Sequence, residues 1–429
     1  MIESKVILGP PNGGYGWVVV FGAFLIDMFN KAFFSVFGLL FGPFFKSINV
    51  AQSDISLVMN LTSFFGSISA IFTGAILKFY TVRQVSVIAC LLTSIGLTLS
   101  AFTVSAYQTV LAFSVLSGFG FGMLANTTII AVTSYFTTHK RRAVSFSMTG
   151  TGIGQIILPQ VVKYLNSNYT ANNSIIIMGG SMLIGLIGAL LFEPVEKHLK
   201  PCIIDETHPL TSNNSPPTEN DLNSSFWKKF VDTMDLGLLK DSHFLILNFV
   251  LACGFAVAMD FTLILPFFLQ ETAKLDTTQT AMCLSVLATF DLTSRVTFHF
   301  ITDRTSLSSR QILVIGIVCL GILKTILTFL TTYMSILITC SIYGYFRAIV
   351  LVNQILAISE HCTKYHPKRF AGALGLNMLF CGISVVTFGQ LFGTFRDYFN
   401  DFSYSFYLED IFVTFILSIW LIEYFYRLK

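Results

Sequence analysis

Charge is scarce in this chain. Asp, Glu, Lys and Arg make up 11% of its 429 residues, where a soluble chain carries roughly a quarter. An ordinary water-soluble globular protein is thereby excluded. The net charge of +3 is too small to point to a nucleic-acid partner. Cysteine is scarce and scattered: eight residues, none in a CxxC or a Cys/His cluster. Neither a disulfide framework nor a zinc site is supported. Cys90, Cys253, Cys283, Cys319, Cys340 and Cys381 fall inside apolar runs and read as buried, inert thiols. HExxH spacing and a nucleophile–base constellation are both missing, so an enzyme is the poorest reading and no cofactor or metal is expected. The first residues lack a basic stretch followed by a short apolar region and a small-residue cleavage site, so no cleavable signal peptide is expected.

What is abundant is apolar length. Hydrophobic residues reach 54%, and 44 are phenylalanine. The mean hydropathy is +0.72. A spanning helix needs about 20 apolar residues. Such runs occupy 17–44, 54–77, 84–104, 107–134, 142–165 and 175–192, then 243–268, 278–301, 311–331, 335–358, 370–394 and 405–425. The spacing predicts an all-α membrane protein with twelve transmembrane helices. Between the sixth and seventh runs, residues 201–230 are rich in Ser, Asn, Pro and acids. That composition cannot bury a core and reads as a disordered linker. The expected division is a cytoplasmic segment 1–16, a six-helix bundle 17–192, a linker 193–242, a second bundle 243–425 and a tail 426–429.

The short basic clusters fall on one side of this pattern. Lys78, Arg83, Lys140, Arg141, Arg142, Lys197, Lys200, Lys228, Lys229, Arg304, Lys364, Lys368 and Arg369 lie in alternate loops; the others hold Lys46, Lys163, Lys274 and Arg396. The positive-inside rule then predicts both termini and the linker in the cytoplasm. In the same orientation the sequons at Asn168 and Asn172 face outward and those at Asn213 and Asn223 inward.

Seven charges stand six or more residues from either end of an apolar run: Asp27, Lys31, Asp260, Asp291, Arg295, Lys324 and Arg347. An ionisable group in lipid costs about 3 kcal/mol or more, so it is tolerated where it lines a pathway or has a partner. Three acids against four bases leave one positive charge, which suits a monoanion. Asp291 and Arg295 are i, i+4 neighbours, so they either neutralise each other or handle a ligand. At 1.5 Å per residue, Arg295 sits about 12 Å from the inner end near Asp303, and Asp291 roughly 6 Å deeper. A guanidinium at that depth grips a carboxylate through two parallel hydrogen bonds. Asp27 and Lys31 are one turn apart and read equally as a structural pair or as an available cation. Arg347 is a plausible second anion-binding group. Lys324 and Asp260 read as vestibule residues or as side chains that snorkel to water.

Three motifs carry a resemblance. The first run opens with Pro11-Asn12-Gly13-Gly14-Tyr15-Gly16-Trp17, which resembles the signature of the monocarboxylate transporter family, with Asn12 where the family has an acid. Tyr135-Phe136, the basic block Lys140-Arg141-Arg142, Ala143 and then Gly150 and Gly154 resemble that family's second signature, with Ser145 in place of a Gly. Phe290-Asp291-Leu292-Thr293-Ser294-Arg295 matches its eighth-helix Asp/Arg pair. The loops after the second and eighth runs, Lys78–Arg83 and Asp303–Arg304, add a weak echo between the halves, as in major facilitator transporters. Two six-helix channel modules would also give twelve spans, but no filter-like re-entrant segment is visible.

The resemblance implies a major facilitator 6+6 fold and a carrier of small organic anions in the plasma membrane or an organelle. It implies that Arg295 engages the substrate carboxylate and that Asp291 takes part in proton exchange, with Asp27 a further candidate. Proton-coupled members carry a Lys near the outer end of the first helix, where ungapped alignment puts Ser35; Lys31 lies one turn earlier. The expected partners are a small organic anion, protons, the lipid bilayer and, for some members, a single-span glycoprotein chaperone. An uncoupled carrier of aromatic amino acids or other small solutes is the nearest rival. A non-transporting sensor on the same fold is the rival of another class.

Overall fold

The computed structural model describes residues 6–47, 52–203, 235–302, 307–367, 369–399 and 402–428. The Ser/Asn/Pro-rich middle of the expected linker, the sequons at Asn213 and Asn223, and the Asp303–Arg304 loop lie outside them.

All twelve expected runs are helical. The first is α1 (Tyr15–Phe29), a 3-10 turn (Lys31–Ser35) and α2 (Phe37–Ser47). Then come α3 (Gln52–Ile76) and α4 (Val82–Ser100). The fourth joins α5 (Ala106–Thr109) through a π-helical stretch (Val110–Ser117) to α6 (Gly118–Tyr135). The fifth is α7 (Lys140–Asn168), and the sixth is α8 (Ala171–Ser181) with α9 (Ile184–Leu190). The seventh is α10 (Ser242–Phe267), followed by a π turn (Phe268–Thr272). The last five are α11 (Thr277–Thr302), α12 (Ser309–Phe329), α13 (Tyr333–Tyr365), α14 (Phe370–Phe399) and α15 (Phe402–Leu428).

Among the described residues nine helical stretches are long and apolar enough to cross a membrane by length and composition. Among the same residues Leu61–Ile76 of α3 is a shorter apolar helical stretch, and α7 interleaves its apolar residues with Ser, Thr, Gly and Gln. Large apolar side chains such as Ile95, Leu111, Ile187, Phe329, Ile411 and Phe415 are exposed along these helices. Water would penalise that surface; hydrocarbon does not.

The chain forms two compact units, Met1–Leu238 with His361–Leu376, and Leu239–Glu360 with Asn377–Lys429. The division falls inside the expected 193–242 linker, and the stretch across the tenth and eleventh spans clusters with the first unit. The linker's described ends are folded. Val195–His198 and Leu236–Lys240 form 3-10 turns, and β1 (Val6–Gly9) pairs antiparallel with β2 (Lys200–Ile203). Backbone hydrogen bonds require only that two short segments meet, and no hydropathy pattern announces them.

The first unit is packed by phenylalanine. Phe33, Phe37, Phe41, Phe44, Phe45 and Phe113 form one buried cluster, with Phe37–Phe41 centroids 4.8 Å apart and Phe41–Phe113 5.2 Å apart. These rings fill the bundle, which answers where much of the aromatic content goes. The thiols of Cys90, Cys253, Cys283, Cys340 and Cys381 are buried.

Candidate functional site

In the second unit, α11 places Asp291 and Arg295 one turn apart on its buried face. Arg295 Nε donates to Asp291 Oδ2 at 2.7 Å, and both residues are buried. The close approach of α13 to α11 at Gly344, where a Cβ would overlap the Leu287 carbonyl, brings a second guanidinium in. Arg347 Nε lies 3.7 Å from Asp291 Oδ1. One carboxylate is therefore flanked by two guanidiniums, and the triad carries one excess positive charge. Arg347, the more distant guanidinium, is half-buried, and an anion beside it would offset the excess charge.

In the first unit, Lys31 begins the 3-10 turn that breaks the first span. The break follows Asn30, whose side chain donates back to Ile26 O at 3.3 Å and accepts from Thr93 Oγ1 at 3.1 Å. Lys31 Nζ lies 2.9 Å from Asp27 Oδ1 and donates to Thr128 Oγ1 of α6 at 3.3 Å. Ser35 is exposed, and its hydroxyl donates to Ala32 O at 2.7 Å, a local back-bond within the turn.

The two signature strings form a single packing unit. Asn12 adopts a left-handed φ of 50°. Its Oδ1 accepts from Thr137 N at 2.6 Å, Thr137 Oγ1 at 2.9 Å and Thr138 N at 3.1 Å. Gly14, at φ 58°, sits at the N-cap of α1 in a conformation that L side chains rarely adopt. Trp17 stacks edge-on against Phe136 and Phe146. Farther along, a Cβ on Gly150 would overlap the Phe24 carbonyl, and one on Gly154 the Met28 carbonyl. The α1–α7 contact thus depends on those two glycines. Gly13 has nothing within 4 Å of a would-be Cβ. Tyr15 stacks on His198 at 4.4 Å and donates to Leu191 O. His198 Nε2 meets Glu193 Oε2 at 3.0 Å, and that hydrogen bond holds the Glu193 carboxyl below the usual carboxylate range.

One cluster was not anticipated. Glu409 and Asp410 stand just inside the start of the twelfth run; with them the three acids and four bases of the span interiors become five against four, so the expected single excess cation of the spans as a whole is not found. Lys324, expected to sit in a vestibule or to snorkel, is 3% exposed. Its Nζ donates to Glu409 Oε2 at 2.7 Å and lies 3.0 Å from Asp410 Oδ1. Thr325 Oγ1 donates to Asp410 Oδ2 at 2.7 Å. Asp260 of α10 faces Glu409. The signal was legible in the Leu408-Glu409-Asp410-Ile411 string, but acids near a run boundary look like interfacial residues until the helix start is known.

Ionisable groups buried along apolar spanning helices mark a functional site within a membrane protein. A profile of the Major Facilitator Superfamily matches residues 19–389, and the chain belongs to that superfamily of membrane transporters. It is 26% identical over 345 residues to Monocarboxylate transporter 12-B of Danio rerio, covering 79% of this chain and 72% of the relative. It is 26% identical to human Monocarboxylate transporter 12, covering 70% of this chain but 60% of that protein's length. To Monocarboxylate transporter 2 of Mesocricetus auratus it is 24% identical over 92% of this chain and 81% of the relative. The fold is similar to that of the proton:xylose symporter XylE bound to 6-bromo-6-deoxy-D-glucose, with a TM-score of 0.64, 14% identity, and coverage of 95% and 94% of the two chains.

Proposed function

We propose that this carrier moves small monocarboxylates or related organic anions by alternating access. The observation that carries the reading is the flanking of Asp291 by Arg295 and Arg347, 2.7 Å and 3.7 Å away. A substrate carboxylate entering there competes with Asp291 for the guanidiniums and supplies the charge the triad lacks. Similarity to monocarboxylate transporters 12 and 2 supports the same substrate class. Lys31 is a candidate anion contact, held by Asp27 and Thr128 in this conformation, and Ser35 marks the position where proton-coupled relatives have a Lys. Asp291 and Asp27 are the carboxyls proposed to take part in proton coupling. Residence in the plasma membrane is part of the proposal, and the distribution of Lys and Arg supports placing both termini and the linker in the cytoplasm.

The test is uptake of a radiolabelled panel of carboxylates and amino acids into proteoliposomes, with and without an inward proton gradient. Saturable carboxylate flux, lost in Arg295→Ala, is the expected result. Flux of neutral aromatic solutes without carboxylate flux would replace the reading with a facilitative carrier, and ligand binding without any saturable flux would make the protein a sensor.

A further inference from the structure

We propose that Glu409 and Asp260, braced by Lys324 and Asp410, form a proton-binding site of the second unit, separate from the Asp291 triad. The site goes beyond the organic-anion reading and does not depend on the substrate's identity.

Its construction begins with level. Lys324 lies a few residues before the end of α12, Asp260 a few before the end of α10, and Glu409 a few after the start of α15. At 1.5 Å per residue all three are about 8–10 Å from the same end of the unit. Both α10 and α12 pack against α15, so the three side chains converge. The facing groups are Asp260 from α10, Lys324 and Thr325 from α12, Tyr343 from α13, and Glu409 and Asp410 from α15. Tyr343 is buried, with its ring 4.2 Å from that of Phe261.

The charges do not balance as written. One ammonium, paired with Glu409 and Asp410, stands in a cluster of three carboxyls, which leaves two excess negative charges if all are ionised. Glu409 has no exposure, so water cannot solvate it. Lys324 engages Oε2 of Glu409, whereas Oε1, equally buried, has no hydrogen-bond donor among the described residues. A fully buried carboxylate oxygen without a donor costs on the order of 1–3 kcal/mol or more. Asp260 is the other carboxyl beside Glu409. Two carboxylates repel; a single proton between them turns the repulsion into a charge-assisted hydrogen bond. The place of a larger cation is already taken by the Lys324 ammonium, so the missing ligand is a proton.

A connection to the Asp291 triad is built into α13. Tyr343 and Arg347 are i, i+4 neighbours, and the Tyr343 hydroxyl lies in the combined field of Arg347, Glu409 and Asp410. An anion that draws on Arg347 therefore alters the field at Tyr343, the residue that Glu409 and Asp410 also act on. This relation is what a coupled carrier requires: each ligand changes the affinity for the other.

The experiment uses the full-length carrier in lipid, with the proton as the only probe. Infrared spectra are recorded across neutral and mildly alkaline pH in H2O and D2O. The wild type should show a carbonyl stretch of a protonated carboxyl that shifts in D2O and titrates away with rising pH. Glu409→Gln and Asp260→Asn should each abolish or displace that band, while Asp291→Asn retains it. Melting of the wild type should fall as pH rises through the same range, and Asp260→Asn should flatten that fall. An identical band in wild type, Glu409→Gln and Asp260→Asn overturns the site, as does the lack of any such band. A melting shift that follows sodium rather than pH also overturns it. Because no substrate enters either readout, a failed uptake panel refutes only the organic-anion reading.

Discussion

The ammonium of Lys78 lies 3.1 Å from Oδ1 of Asp235, a residue at the far end of the linker. Asp235 is buried, adopts a left-handed φ of 53°, and has Arg369 Nε 3.8 Å from the same oxygen. Its carboxylate sits where a side chain on Gly372 would have to go. The linker is thus anchored by one acid between two bases of the first unit. Breaking a partly buried ion pair costs roughly 1–3 kcal/mol, whereas each doubling of loop length costs about 0.6 kcal/mol. Asp235→Ala should therefore lower the melting temperature of the purified protein by several degrees. Deleting 205–225 should leave both melting and uptake close to wild type. Equal effects of the two changes would refute the anchor.

Arg295 and Arg347 should not respond alike. Arg295 is buried and hydrogen-bonded to Asp291, so Arg295→Ala should abolish carboxylate uptake and reduce expression by leaving a buried acid exposed to fewer partners. Arg295→Lys keeps the charge but loses the planar fork, so weakened uptake at normal abundance is expected. Arg347 is half-buried and farther from Asp291; Arg347→Lys should raise KM about tenfold, equivalent to ~1.4 kcal/mol. Surface-normalised uptake kinetics decide the matter. Wild-type uptake by Arg295→Ala at normal surface abundance ends the carboxylate-site reading.

How much of this could be read without coordinates depends on the kind of interaction. Apolar length fixes spanning helices, and all twelve runs are helical. The i, i+4 partners Asp27–Lys31 and Asp291–Arg295 lie within one helix, so spacing alone brings them together. Interruptions were invisible: the 3-10 turn after Asn30 and the π stretch at Val110–Ser117 rest on side chains from other helices and on local hydrogen bonding. Long-range pairs were equally hidden. Lys324 to Glu409 and Lys78 to Asp235 join residues far apart in the chain, and no periodicity encodes which helices pack. The β1–β2 pair escaped for the same reason.

The α1–α7 contact yields a prediction with its own control. Gly150 and Gly154 face the Phe24 and Met28 carbonyls so closely that any Cβ overlaps backbone. Backbone cannot swing aside as a side-chain tip does, so the helices must separate. Gly150→Leu should give aggregated or degraded protein, and Gly154→Ala a marked fall in melting temperature. Gly180, with nothing within 4 Å of its would-be Cβ, should accept Ala without loss. Monodispersity by size-exclusion chromatography separates these outcomes, and a monodisperse Gly150→Leu protein would show that the contact is dispensable.

Asn12 provides the last prediction, because it replaces the acid of the family signature. The side chain's role in this structure is that of an acceptor: one oxygen receives the amides of Thr137 and Thr138 and the Thr137 hydroxyl. Its own N–H donates to Tyr135 O at 3.1 Å, and its left-handed φ suits Asn, Asp or Gly. An Asp would accept the same three donors with a full charge, and charge-assisted bonds are the stronger kind. Asn12→Asp should therefore be neutral or raise the melting temperature slightly. Asn12→Ala removes all three acceptor contacts from an exposed turn, where donors fall back on water, so a loss of roughly 1 kcal/mol is expected. Asn12→Leu adds the strain of a branched apolar residue at positive φ and should be worse than Ala. Thermal melting of the four proteins gives the order Asp, Asn, Ala, Leu. A protein in which Asp melts below Ala would mean that the carboxylate meets a like charge here and that the signature acid serves another purpose.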